Sequence, residues 1–261
     1  MPTRQEDPLH TIEPVRFTVP PSDEAIPVAS IAKPGGGRRS IAVLDPEDAR
    51  AYSHTVARLV PTIEARLGDE VFADRAKVVG GEVRLDDWRR ARVAFRRSVR
   101  TSLDARTQPA VFVGDVQACF SSMRVEIVAR ALRRLRGRPT DIERVLAALR
   151  EFRTRGIEGL PVGPAPSAPL ANAVLSSIDR AIQAEGVRPL RWVDDVVAIC
   201  DDVASATRVA DVFHRALAHE GLQANVSKTT IVTDRDEAAH RLLGLDGYSP
   251  TACSRAMLPA P

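Results

Sequence analysis

The chain has 261 residues, a formal net charge of +3, 44% hydrophobic and 27% charged residues, which is ordinary for a soluble protein with one large domain or two small ones. No apolar run approaches the roughly 20 residues of a membrane span, and residues 1–17 carry acids and prolines where a secretory signal needs a basic start and an apolar core, so the expected setting is the cytoplasm, with no membrane. The cysteines, at 119, 200 and 253, lack paired or metal-ligand spacing, which argues against a disulfide framework or a zinc site, and lysine occurs only at 33, 77 and 228, so an arginine-built charge permits a polyanionic partner without demanding one.

Residues 1–40 are rich in proline, end in Lys33-Pro34-Gly35-Gly36-Gly37-Arg38-Arg39, and read as an extended arm or linker, with order beginning near Ile41. Apolar positions Tyr52, Val56, Leu59, Val60, Ile63 and Leu67 recur at helical spacing and predict one or two helices broken at Pro61. A hairpin follows around Gly80-Gly81, then a helix over 88–100. Residues 109–115 form a short apolar run that predicts a buried strand with Asp115 at its tip. A capping box at Thr140-Asp141-Ile142-Glu143 opens a helix that stops by Gly156, and another helix begins near Ser167. Two β-rich segments over 190–199 predict a hairpin with Asp194 and Asp195 at its turn. A helix over 202–220 stops at Gly221, and residues 222–233 read as a strand. This order predicts an α+β fold, an antiparallel sheet with helices on one face.

Carboxylates at strand tips, one from the first strand and two from the hairpin, converge on one sheet edge if the strands are neighbours. Such a cluster suits two Mg²⁺ ions, hard cations that take oxygen ligands and stabilise the attacking and leaving oxygens of an in-line displacement. Taken alone, Asp194-Asp195 reads more readily as an acidic turn; its flanks change that reading.

From about residue 111 to 247 the chain resembles the reverse transcriptases, motif by motif and in order. Gly114-Asp115-Val116-Gln117-Ala118-Cys119-Phe120 resembles their first palm motif. The resemblance implies that Asp115 and the Val116 carbonyl bind metal and that Phe120 clashes with a ribose 2′-hydroxyl, favouring deoxynucleotides; Phe120 reads otherwise as a core aromatic. Gly159-Leu160-Pro161-Val162-Gly163-Pro164-Ala165-Pro166-Ser167, with Asn172 beyond it, resembles the loop and helix beneath the nascent base pair, and Val162 stands where many members have glutamine. That departure is closer to bacterial retroelement and phage-defence members. Trp192-Val193-Asp194-Asp195 is similar to the third motif, Lys228 to the lysine near the departing pyrophosphate, though it reads equally as a plain surface lysine, and Leu242-Leu243-Gly244 to the primer grip.

The family implies a right-hand polymerase. The arm would be 1–40, the fingers 41–108 and 124–155, the palm 109–123 and 156–250, and the tail 251–261, with a thumb short or absent. Asp115, Asp194, Asp195 and Lys228 would be catalytic; Phe120, Val162, Gly163, Arg75 and Lys77 would bind the nucleotide; Ser167, Asn172, Trp192, Leu243 and Gly244 would meet primer or template. Two Mg²⁺, with Mn²⁺ able to substitute, an RNA template, a DNA or RNA primer, dNTPs, and a protein or RNA partner standing in for the thumb would complete the system. A stripe of Arg89, Arg92, Arg96 and Arg100 suits a phosphate backbone and equally a solvated helix face. Untemplated or protein-primed synthesis and a regulatory subunit without chemistry are the alternatives.

Overall fold

The structure is a computed structural model that describes residues 25–32 and 38–243. Two strands come first, β1 (Val28–Ala32) and β2 (Arg38–Ala42), paired antiparallel with Ser30 opposite Ser40. Regular structure therefore begins before Ile41, within the stretch expected to be an arm. Five-residue strands are too short to show a period, and the pair is fastened by Arg38 Nε donating to the Ser30 hydroxyl at 2.6 Å.

Helix α1 (Pro46–Ala57) starts on Asp45, whose carboxylate accepts from the Glu47 and Asp48 amides at 2.9 Å. Helix α2 (Val60–Glu64) restarts with Pro61 in its first turn, where proline costs no hydrogen bond. The hairpin of β3 (Ala76–Val79) and β4 (Glu82–Leu85) turns on Gly80 and Gly81, both at positive φ. Helix α3 (Trp88–Asp104) leads into β5 (Ala110–Asp115), followed by α4 (Cys119–Ser122), α5 (Val125–Arg134), α6 (Pro139–Thr154) and α7 (Ser167–Gln183). The capping box expected at 140–143 does not form. Pro139 pre-sets the first turn, the cap falls on Arg138, and Asp141 turns inward to accept from Arg58 Nε at 2.5 Å.

After β6 (Pro189–Trp192) and β7 (Asp195–Cys200), helix α8 (Val203–Glu220) opens on the Asp202 carboxylate and closes on Gly221 at φ 81°. Strand β8 (Thr230–Val232) and helix α9 (Arg235–Leu243) complete the described chain. The strand expected over 222–233 is thus interrupted. Ala224 forms a lone bridge to Val116, and the chain then turns, with the Lys228 and Thr229 amides both donating to the Asn225 carbonyl at 3.0 Å.

The central sheet has the order β6-β7-β5-β8 and is antiparallel throughout. Opposed residues of an antiparallel pair point to the same side. Asp115, Asp195 and Trp192 oppose one another in turn, so they share one face; Gly114, Val196 and Arg191 share the other. On the second face Phe112 meets Phe213 of α8 edge-on at 5.2 Å between ring centroids. On the first, Trp192 meets Phe95 of α3 at 5.6 Å. Helices therefore cover both faces, which corrects the expectation of helices on one. It also explains why every residue of β5 and β7 is buried and why both strands read as nearly unbroken apolar runs. Residues 70–72 run along the outer edge of β6, with the Phe72 amide donating to the Arg191 carbonyl at 3.0 Å.

Residues beyond 243, including Gly244, the expected tail and the question of a thumb, lie outside the described residues, as do 1–24. Among the described residues no helix is long and apolar enough to cross a membrane.

The contact between Phe112 and Phe213 leaves no room over Gly114: a Cβ there would lie 2.8 Å from Phe112 Cζ and 2.9 Å from Phe213. Urea unfolding should show Phe213→Ala less stable by about 3–5 kcal/mol through the cavity it leaves. Gly114→Ala should lose about 1–3 kcal/mol by overpacking.

Candidate active site

The strand that carries Asp115 and the hairpin that carries Asp194 and Asp195 are sheet neighbours, with Asp115 opposite Asp195. One carboxylate oxygen from each of the three lies within 4.8 Å of the others. The hairpin closes through only two residues, Val193 and Asp194, and Val193 takes φ 56°, a region that a β-branched side chain normally avoids. The tight turn is what brings two consecutive aspartates beside the tip of β5.

Three like charges at this spacing oppose their own ionisation. Burial, with the charge of Asp115, pushes the Asp194 carboxyl up to about 6, against the partial relief of Lys228 and Arg39. Burial and the charges of Asp194 and Asp115 hold Asp195 well above the usual carboxylate range. Lys228 Nζ donates to Asp115 Oδ2 at 2.9 Å. Burial works to lower the Lys228 ammonium, but its hydrogen bond to Asp115 and the surrounding carboxylates outweigh that and raise it, so it is held protonated. The interrupted strand makes this contact possible, because the turn at 225–229 folds the lysine back over the tip of β5, with the Asn225 amide on the Asp115 carbonyl at 2.8 Å.

One ammonium cannot balance three carboxylates, and the donor set is all oxygen. The residues present therefore fit hard divalent cations. Val116 sits at the bridge to Ala224, but the bonds of that bridge run from the Gln117 amide to Gln223 and from Asn225 to Asp115. The Val116 carbonyl is not consumed by it.

Residues 159–167 lie against α4, the short helix that follows Asp115 in the chain. The Leu160 amide donates to the Phe120 carbonyl at 2.9 Å, and a Cβ on Gly159, at φ 67°, would collide with the carbonyls of Phe120 and Ser121. On its other side the loop meets the first hairpin: the Ala42 amide donates to the Val162 carbonyl at 2.8 Å, and a Cβ on Gly163 would stand 2.5 Å from Ile41. Phe120 itself is 6% exposed and packs with the core.

Several predicted site residues lie inside the fold. Ser167 is fully buried, its hydroxyl 3.2 Å from that of Tyr52. Asn172 is bonded to Arg191, and Trp192 is packed on Phe95 with the Arg92 guanidinium 5.1 Å over its ring. Leu243 is buried at the end of α9. These placements support the site from within. Arg75 and Lys77 are also engaged elsewhere: Arg75 Nε donates to Glu64 at 2.6 Å, and Lys77 pairs with Asp86 at 2.9 Å. Of the arginine stripe, Arg92 is turned inward while Arg89, Arg96 and Arg100 are exposed.

Two residues the sequence reading passed over belong near the aspartates. Arg39 of β2 is close enough to lower the Asp194 carboxyl, and its Nη1 is buried with no hydrogen-bond partner among the described residues. The available signal was its place just after the Gly35-Gly36-Gly37 run in the sequence. Asp74, at φ 58°, feels the charge of Asp194; burial first, then that charge, raise its carboxyl to about 6. A single unusual φ leaves no trace in sequence.

Carboxyls raised above their unfolded values bind extra protons in the native state, so the stability they contribute is present below about pH 4 and is lost as pH rises through 6 and beyond. Metal-free protein should therefore melt lower at pH 7.5 than its Asp195→Asn variant by several degrees, and the gap should narrow steadily as pH falls toward 4. Scanning calorimetry in a chelator checks this.

Residues 31–246 match the family model described as reverse transcriptase (RNA-dependent DNA polymerase). A search of curated protein sequences finds no match. Among solved structures the fold is similar to that of the Candida albicans telomerase in complex with a fragment of telomeric RNA (TM-score 0.52, 14% identity, covering 78% of this chain and 41% of that one). It is also similar to the apo telomerase of Candida tropicalis (TM-score 0.52, 12% identity, 84% and 46%). The chain spans less than half the length of either. The family match covers most of the sequence and runs through every element of the aspartate site, and the chain belongs to the reverse transcriptase family.

Proposed function

We propose that the chain is an RNA-directed DNA polymerase that adds dNTPs to a 3′-hydroxyl, with Asp115, Asp194, Asp195 and the Val116 carbonyl holding two divalent cations. The observation that carries this reading is the convergence of three carboxylates, one from the tip of β5 and two from the β6–β7 turn, within 4.8 Å at one end of the sheet. Nothing in the packing needs them together, and each raises the cost of charging the next. Bound there, Mg²⁺ or Mn²⁺ would supply charge stabilisation to the attacking and leaving oxygens.

The chain's own groups take the remaining roles. Lys228, held protonated on Asp115, is placed to give a proton to the departing pyrophosphate. The Phe120 ring, with its backbone pinned by Leu160, would exclude a ribose 2′-hydroxyl. Arg39, whose charge reaches Asp194 and whose buried Nη1 has no partner among the described residues, is the cation we assign to the triphosphate in place of Arg75 and Lys77. This moves the nucleotide-gripping hairpin from residues 76–85 to residues 28–42 and extends the fingers toward the N-terminus, while the palm keeps 109–123 and the stretch from 156. The Val162 loop suggests antiphage defence as the biological setting.

Purified protein should incorporate labelled dNTPs on a primed RNA template in Mg²⁺ or Mn²⁺, and an Asp194→Asn, Asp195→Asn double variant should fall to background. Incorporation without template would favour untemplated synthesis; none by the wild type would return the chain to a regulatory role. Phe120→Val should lower the preference for dNTP over NTP by roughly 10-fold or more, the scale on which a methylene or two discriminates. Arg39→Ala should raise the KM for dNTP roughly 10-fold or more, as loss of a hydrogen bond to a charged group does, whereas Arg75→Ala should act on thermal stability and leave that KM in place.

A further inference from the structure

The largest fully buried side chain among the described residues is a cation, Arg191, in the strand that leads to the metal-binding turn. It lies on the sheet face opposite the carboxylates, so it takes no part in the chemistry assigned above. Its Nε donates to both Asp179 oxygens at 2.9 Å, with side-chain exposures of 0% and 1%. Burial raises the Asp179 carboxyl, and the Arg191 charge works against that. Nη1 has two further acceptors: Asn172 Oδ1 at 2.7 Å and the Val193 carbonyl at 2.9 Å. Asn172 in turn donates through Nδ2 to the Asp74 carbonyl at 3.1 Å.

A buried Arg–Asp pair contributes little to stability beyond what apolar side chains of the same size would give. What apolar side chains could not replace is the bond to Val193. That residue is the β-branched one at φ 56°, the peptide immediately before Asp194. Its carbonyl is fixed by a guanidinium whose own position is fixed from three sides, by Asp179, by Asn172 and by the backbone bonds of Arg191 to Glu70 and Phe72. Resting on the two-metal reading, we propose that Arg191, set by Asp179 and Asn172, is a positioning residue that holds the Val193 peptide in its left-handed conformation and thereby fixes the spacing of Asp194 and Asp195 against Asp115.

The test is Mn²⁺ binding to the full chain, read by the electron paramagnetic resonance of free Mn²⁺, with circular dichroism and thermal melts for fold. Two variants separate positioning from stability. Arg191→Lys keeps a charge beside Asp179 but cannot span both acceptors; the pair Arg191→Met, Asp179→Leu removes both charges together. Each should melt cooperatively yet bind Mn²⁺ roughly 10–100-fold more weakly, the usual cost of losing a group that orients a ligand. Adding Val193→Gly to Arg191→Lys should recover most of that loss, because glycine adopts positive φ unaided. A wild-type Kd in either folded variant, or no recovery with glycine, overturns the proposal, and failure of both variants to fold assigns the network to stability alone. The Asp195→Asn variant guards the premise: if it binds Mn²⁺ as the wild type does, the two-metal reading falls and takes this inference with it.

Discussion

Mutual repulsion among Asp115, Asp194 and Asp195 is the constraint around which the molecule is arranged. Carboxylates drawn within 4.8 Å of each other in a largely buried corner would separate if the backbone let them. The backbone does not. Asp115 is locked in register with β7, its carbonyl is bonded to Asn225, and the aspartates opposite sit at the mouth of a two-residue turn. The unfavourable charge is held by hydrogen bonds and packing formed elsewhere in the fold, which is how local strain persists in a folded chain.

Packing on both sides of the sheet supplies that rigidity. Phe213 of α8 presses on one face and Phe95 of α3 on the other, so the strand tips carry the aspartates on a layer with little freedom to tilt. The loop at 159–167 acts in the same sense. It is stitched to the backbone of Phe120 in α4 on one side and to β2 on the other, so β2, the loop and α4 form one continuous wall.

Much of this was legible in sequence because it rests on local signals. The aspartates were found from an apolar strand ending on a carboxylate, a paired acid between β-formers and the motif order; helices with clear periodicity and the stop at Gly221 were legible too. What escaped notice depends on tertiary partners. Ser167, Asn172 and Trp192 carry groups that can touch a nucleic acid, and only their burial shows that they serve the interior. Arg39 escaped because two five-residue segments flanking a glycine-rich run look like a linker in sequence. Arg191 looked like one more arginine in an arginine-rich chain, since no pattern announces that Asp179, twelve residues earlier on a helix, will meet it. The helices on both faces were misjudged because an apolar run ending at Asp115 says that a strand is buried without saying by what.

The scarcity of lysine has a practical side. Lys33 lies outside the described residues, Lys77 sits in an exposed pair with Asp86, and Lys228 stands half-exposed on Asp115 in the middle of the site. A reagent that acylates amines has few targets in this chain, and one of them stands on Asp115 of the aspartate cluster. Protection of that single amine, followed by peptide mass mapping, gives a footprint of whatever binds at the cluster, without any need for turnover.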